Sequence, residues 1–224
     1  MFNNVIIIIK KSINYFIKSR QEKRHSLVGA GNLWKMKQQF QIDFLIKQGL
    51  NKSDILLDIG CGTLRGGLPM ISFLDVSNYY GLEVRKHVLE EGKKELKKQK
   101  LDYKMPNLIS FIRFDEIKLD VKYDMIFAFS VLIHFNDQIA NQCFNFVSKY
   151  LKSDGVFFAN VNIGDHPDGY WEGFPVVFRK ISFYETLANK NGIELEQLGS
   201  LKSLGHNSGI PGSDQQIMLK MIKI

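Results

Sequence analysis

Ile55-Leu56-Leu57-Asp58-Ile59-Gly60-Cys61-Gly62 joins a short apolar run to a glycine turn. The run suits a central strand covered on both faces. Asp58 interrupts it at the strand's carboxyl end, where an unpaired buried charge is costly and needs a partner. Gly60 and Gly62 let the backbone turn tightly and approach a ligand closely. Leu64-Arg65-Gly66-Gly67 then opens a helix. In open α/β sheets ligands bind outside the carboxyl ends of the strands, where the strand order reverses.

Outward from this point, helical and strand-like segments alternate. Strands are expected at Ile55–Ile59, Tyr79–Val84, Ile109–Phe114, Met125–Val131 and Gly155–Val161. Helices are expected over about 36–48, 65–73, 85–99, 136–151 and 181–191. Asn136 is the expected N-cap of the fourth, and Ser153-Asp154-Gly155 the turn after it. Such alternation predicts a parallel sheet with helices on both faces. Ile193–Leu198 and Gln216–Ile222, joined by a Gly- and Ser-rich loop, add a C-terminal antiparallel hairpin.

Glu83 ends the second expected strand, 21 residues after Gly62. An acid there can accept hydrogen bonds from both hydroxyls of a ribose. Nicotinamide-dependent oxidoreductases use a similar arrangement. Two features argue against them. The third position of G-x-G-x-x-G is Arg65. Asp58 beside the glycines suits a ligand with a positive amino group and would repel a pyrophosphate.

Leu56-Leu57-Asp58-Ile59-Gly60-Cys61-Gly62 resembles the first motif of class I S-adenosylmethionine-dependent methyltransferases. Tyr80-Gly81-Leu82-Glu83-Val84 is similar to the second motif, with Glu83 as the ribose-binding acid. Asp115 matches the adenine-contacting position. Tyr123–Ser130 resembles the fourth motif, and Tyr150–Val156 the entry to the fifth strand. The resemblance covers about residues 30–222. It implies a Rossmann-like, seven-stranded, mostly parallel sheet with S-adenosyl-L-methionine as cofactor. The implied cofactor contacts are Asp58, Gly60, Cys61, Gly62, Arg65, Glu83, Val84, Asp115, Phe129, Ser130 and Trp34, the last on the helix lying over the methionine end. Many members have G-x-G-x-G, and here the third position is Leu64. The variant Leu64-Arg65-Gly66-Gly67 is similar to a small-molecule and glycan subset.

An amine acceptor needs only to be neutral, whereas a sugar hydroxyl needs a base, and His suits that role near neutral pH. His134, just past the fourth strand, is the leading candidate, with a packed helix-capping role as its alternative. His166, the second catalytic candidate, lies in the loop Asp165-His166-Pro167-Asp168-Gly169-Tyr170-Trp171, where Tyr170 and Trp171 could stack on a sugar, with a surface loop covering the sheet as the alternative. His206 is a candidate for the rim of the cleft. No metal-ligand spacing is present, so no metal is expected.

The net charge of +7 belongs to the N-terminal part: residues 1–54 hold ten Lys/Arg and three Asp/Glu, the rest twenty of each. Residues 1–28 are expected to form an extension and 29–224 the catalytic domain. Ile6, Ile9, Ile13, Phe16 and Ile17 would share one helical face opposite Lys10, Lys11, Asn14 and Lys18. Residues 5–24 would pack on protein, the commoner case, or lie on an anionic membrane surface. No run approaches the ~20 apolar residues of a membrane span. Cys61 and Cys143 form no motif, which fits a reducing compartment. A cytoplasmic enzyme, peripheral at the inner membrane surface in the second case, is therefore expected. The expected acceptor is a small molecule or glycan. Nucleic acid is not expected, since Phe127-Ala128-Phe129-Ser130 lacks Asn-Pro-Pro-aromatic and no RNA-binding module is present. A protein or nucleic-acid N-methyltransferase and a non-catalytic scaffold that keeps the fold remain the alternatives. Oligomeric state is not readable from the chain.

Overall fold

The computed structural model describes residue 22, residues 24–171 and residues 173–224. The helix expected over 5–24 lies outside the described residues except for Glu22 and Arg24, both helical.

Among the described residues nine strands follow in chain order: β1 Leu56–Ile59, β2 Tyr79–Glu83, β3 Asn107–Ser110, β4 Tyr123–Ala128, β5 Leu151–Val161, β6 Gly169–Trp171, β7 Phe174–Val176, β8 Ile193–Ser200 and β9 Ile217–Lys223. The helices are α1 Trp34–Lys47, α2 Gly67–Phe73, α3 Lys86–Lys98, α4 Asp137–Tyr150, α5 Ile181–Lys190 and the one-turn α6 Pro211–Asp214. Seven strands form one sheet in the order β3-β2-β1-β4-β5-β9-β8. Strand β9 runs antiparallel to both its neighbours, and the other pairings are parallel. This is the expected Rossmann-like architecture with its C-terminal hairpin.

Side chains alternate along the central strands and feed two apolar layers. Leu57, Ile126, Ala128, Phe157 and Ala159 meet Phe144, Val147, Tyr184 and Leu187 of α4 and α5. Leu56, Met125, Phe127 and Phe158 meet Phe44, Leu45, Leu68, Ile71 and Leu89 of α1, α2 and α3. The strand order reverses between β1 and β4, so the carboxyl ends of these two strands frame the crevice.

Three strand boundaries shift by three or four residues from the sequence expectation. Strand β3 stops at Ser110 and not at Phe114. Phe111 and Phe114 still pack on the core, but from irregular backbone, so their apolar pattern mimics a longer strand. Strand β4 ends at Ala128 because Ser130 has φ +58°, with its N–H given to Asn160 Oδ1 at 2.7 Å. Strand β5 starts directly after α4. The expected turn at Ser153–Gly155 becomes an irregularity inside it, since Tyr123 pairs Leu151 while Met125 pairs Val156. Asn136 caps α4 as expected, accepting from the Ile139 N–H at 2.9 Å.

Candidate active site

The turn after β1 is built on left-handed backbone. Gly60 has φ +73° and Gly62 φ +58°. A Cβ on Gly60 would lie 2.4 Å from Val131 Cγ2, and one on Gly62 2.7 Å from Val28 Cγ1. Leu64 also has φ +61°. The position where the resembled motif often has its third glycine therefore keeps a glycine conformation, at a cost of roughly 1–2 kcal/mol. The Leu64 side chain is fully buried in the α1–α3 layer, which holds it there. Gly66 and Gly67 have a steric reason of their own. A Cβ on Gly66 would lie 2.2 Å from Gln41 Oε1, and one on Gly67 2.4 Å from the Tyr79 hydroxyl. The Leu-Arg-Gly-Gly start thus lets α2 approach both α1 and the Asp58–Tyr79 pair.

Two acids sit at the ends of adjacent strands. Asp58 is buried and accepts a hydrogen bond from the Tyr79 hydroxyl at 2.6 Å. Burial pushes its carboxyl up to about 7, with the nearby Glu83 adding to the rise and Tyr79 and Arg65 opposing it. Glu83 is also buried. Its Oε2 accepts the Gly62 N–H at 3.0 Å, and its Oε1 accepts the Arg85 N–H at 2.9 Å and Nε–H at 3.2 Å. These bonds orient the carboxylate and leave lone pairs on both oxygens. Arg65 is buried between the turn and the chain before α1. It donates Nη1–H to the Val28 carbonyl at 2.8 Å, while its Nε is buried without a hydrogen-bond partner. Burial lowers the guanidinium to about 10.

Asp58, Gly60, Cys61, Gly62, Arg65 and Phe129 line one small cavity together with Val28, Gln41 and Gly66. The sequence expectation thus gathers six of its cofactor residues in one place. Cys61 contributes a neutral thiol, whose ionisation burial strongly disfavours. Ser130 contributes backbone geometry, and Val84 is exposed just past Glu83.

Other expected residues lie elsewhere. Trp34 is not among the cavity's lining residues; its ring stacks on His25 with centroids 3.8 Å apart. Asp115 lies five residues beyond the end of β3, exposed and paired with Arg113 in a single 3-10 turn. It therefore does not follow directly on the strand, which was expected to reach Phe114 and stops at Ser110. His206 is fully buried and does not rim the cleft. Its Nδ1 lies 2.8 Å from Asp214 Oδ1, and its ring packs against Phe40 and Phe129. Asp214 also accepts from the Ser208 N–H and hydroxyl and from the Gly209 N–H, so it organises the β8–β9 loop and draws the imidazole inward.

His134 ends a one-turn 3-10 helix beyond β4. Its Nδ1 lies 2.6 Å from the Pro175 carbonyl. A carbonyl only accepts, so Nδ1 carries the hydrogen and Nε2 keeps its lone pair. Burial lowers the imidazole's pKa below its ordinary value, with Arg85 adding to this and the Pro175 bond opposing it. Sequence reasoning missed the ribbon that holds this carbonyl. Strands β6 and β7 pair across Gly169–Val176 and place Phe174 between His134 and Arg85, with the Arg85 guanidinium 5.1 Å from the ring. Tyr170 and Trp171 stand exposed on this ribbon. His166 belongs to a separate open groove of about 650 Å³, with Asp168, Phe178, Arg179 and Lys180. Arg179 there bridges Asp137 and Asp168, and Lys180 pairs with Asp165, so the groove's charges are matched internally.

Comparison with known proteins agrees with this architecture. A family model described as a methyltransferase domain matches residues 57–157, from β1 into β5. No curated protein sequence matches the chain. Among solved structures, magnesium protoporphyrin IX methyltransferase from Synechocystis, with S-adenosylmethionine bound, superposes with a TM-score of 0.65 at 14% identity, covering 97% of this chain and 96% of that one. An S-adenosylmethionine-dependent methyltransferase from Clostridium acetobutylicum gives a TM-score of 0.64 at 14% identity over 95% and 99% of the two chains. A glycopeptide N-methyltransferase gives 0.63 at 13% identity over 84% and 90%. At these identities the likeness establishes the fold. Among the described residues, no helix is long and apolar enough to cross a membrane.

Proposed function

We propose that this protein is an S-adenosylmethionine-dependent methyltransferase acting on a hydroxyl of a small molecule or glycan. The family match over 57–157 and the cofactor-bound neighbours support the methyl donor. The observation that carries the reading is the pair of buried carboxylates, Asp58 and Glu83, flanking a left-handed glycine turn at the switch point. The site fits the cofactor chemically. Asp58 faces a place for an ammonium group, Glu83 has lone pairs for ribose hydroxyls, and the unpartnered Arg65 Nε can donate to a carboxylate.

The cofactor supplies an electrophilic methyl group on a sulfonium. The chain's own task is to hold the acceptor and take up its proton. His134 suits the second role. The Pro175 carbonyl fixes its tautomer and leaves Nε2 able to accept a hydroxyl proton. Tyr170 and Trp171 offer exposed rings for stacking on a sugar face. The charge-matched groove around His166 suits a neutral, hydroxyl-rich ligand better than an ion. In this reading the basic segment 5–24 holds the enzyme at an anionic cytoplasmic membrane carrying lipid-linked glycan. Unchanged liposome sedimentation after its deletion removes that part.

The test is transfer of labelled methyl from S-adenosylmethionine to a panel of glycans and small hydroxylated acceptors. Label in an ether, lost about 100-fold or more in His134→Ala with cofactor affinity retained, is the expected outcome. Label found on nitrogen, or full turnover by the variant, overturns the hydroxyl assignment.

A further inference from the structure

The segment before α1 lies across the crevice just described. Val28 seats its side chain on Gly62, so closely that a Cβ on that glycine would stand 2.7 Å from Val28 Cγ1. Two arginines flanking the site hold the segment by its backbone. Arg65 donates to the Val28 carbonyl at 2.8 Å, and Arg85 donates to the Leu27 carbonyl at 3.0 Å. The small cavity that Val28 helps to line measures about 30 Å³. That is room for a water or two, against roughly 300 Å³ or more in sites for small molecules and cofactors. A ligand the size of S-adenosylmethionine therefore needs Val28 displaced.

The segment is suited to moving. Arg24 pins its start to α3 through Glu91 and Glu95, and α1 pins its end at Trp34. Between these points Gly29 has φ +103°, in the left-handed region. Every residue of 24–33 keeps some solvent exposure. The N–H groups of Leu27, Val28 and Leu33 bond only three residues back, to Arg24, His25 and Ala30. A segment that is only partly buried and held by few backbone bonds opens at lower cost than the sheet.

We propose that Leu27–Gly31 is a gate over the cofactor cleft, shut by Arg65 and Arg85 on its carbonyls and by Val28 on Gly62, and opened for cofactor exchange. This deepens the reading of the cleft as the S-adenosylmethionine site and rests on it. While shut, the gate engages Arg65 only through Nη1 and leaves Nε free, so the shut segment and the ligand compete for the space at Gly62, where Val28 is seated. Apparent affinity then falls by the fraction of open molecules.

Both tryptophans of the chain report on the gate. Trp34 stacks on His25, and a Cβ on Gly29 would lie 3.8 Å from Trp171. The experiment combines hydrogen exchange of the ligand-free protein with stopped-flow tryptophan fluorescence against S-adenosylhomocysteine, on the unmodified chain and on Val28→Gly. Peptides spanning 27–33 are expected to exchange at least 10-fold faster than β4, faster still in Val28→Gly, and more slowly with ligand. The observed association rate is expected to level off with ligand concentration, at a ceiling several-fold higher in the variant. Arg85→Met, which frees the Leu27 carbonyl, is expected to raise the ceiling in the same direction. Exchange of 27–33 only with global unfolding overturns the gate, as does an association rate that stays linear and identical in the variants. Absence of S-adenosylhomocysteine binding by every variant overturns the cofactor reading instead, and the exchange result then decides whether the segment opens.

Discussion

Tyr79 gives its hydroxyl hydrogen to Asp58 Oδ2 at 2.6 Å, across adjacent strands β2 and β1 and out of reach of solvent. This bond opposes the desolvation that lifts the Asp58 carboxyl to about 7. The acid at the centre of the site is thus poised near neutrality, and its charge is available to a cationic ligand.

Cofactor binding should therefore be linked to a proton. An ammonium group beside Asp58 favours the ionised carboxylate. For a group titrating near 7, S-adenosylhomocysteine should bind about 10-fold more tightly at pH 8 than at pH 6, with release of a proton near pH 7. Calorimetry in phosphate and in Tris, which differ in ionisation enthalpy, measures this directly. Identical enthalpies in the two buffers would contradict it. Tyr79→Phe removes the opposing bond, so its affinity at pH 7 should fall.

The same burial makes Asp58 a cost to the ligand-free fold. Well below pH 3.8 the carboxyl is protonated in both folded and unfolded chains, and no penalty arises. As pH rises towards 7 the unfolded chain ionises first, so the folded state loses relative stability. The full penalty, on the order of 4 kcal/mol for a carboxyl lifted from 3.8 to about 7, is reached above the folded value. Asp58→Asn should therefore be more stable than the unmodified protein at pH 8, by about 1–3 kcal/mol after imperfect replacement of the Tyr79 bond. At pH 4 the two should be nearly equal. Urea unfolding at both pH values checks the sign, and a gain confined to pH 4 would refute it.

Gly60→Ala should disrupt the turn. The added methyl would sit 2.4 Å from Val131 Cγ2 on backbone with φ +73°. The expected loss is about 2 kcal/mol or more, with cofactor binding gone. Gly212→Ala in α6 meets nothing within 4 Å and should stay within about 0.5 kcal/mol. Thermal unfolding of both variants makes the comparison, and equal melting temperatures would sink the steric account.

His134 should set the acid side of the pH–rate profile. Burial holds its pKa below the ordinary 6.5, so the ring is already neutral and basic at pH 7. Activity as kcat/KM should fall as pH drops below 6.5, with a midpoint under that value, and the limb should vanish in His134→Ala. A midpoint above 6.5, or a limb that persists in the variant, would assign the proton transfer elsewhere.

The sheet and its crevice were legible in the sequence because short continuous apolar runs and glycine turns are local signals. Asp58, Gly60, Gly62 and Glu83 stood at the spacings of a strand, a glycine turn and the end of the next strand, where the structure places them. Long-range pairings were less accessible. Phe114 is apolar because it packs on α4, so it extended β3 on paper by four residues. His206 looked like a loop residue, yet Asp214 draws it into the core. The Gly169–Val176 ribbon is three residues a side, too short for alternation to show, and Gly173 with φ +83° was its one turn signal. Val28 carries no sequence mark of its seat on Gly62.

Isothermal titration of the purified protein with S-adenosylmethionine tests the central claim most directly. The account predicts one site per chain with a micromolar to submillimolar Kd, weakened at least 10-fold by Asp58→Ala and unchanged by Asp115→Ala. Absence of binding by the unmodified protein at millimolar ligand would contradict it.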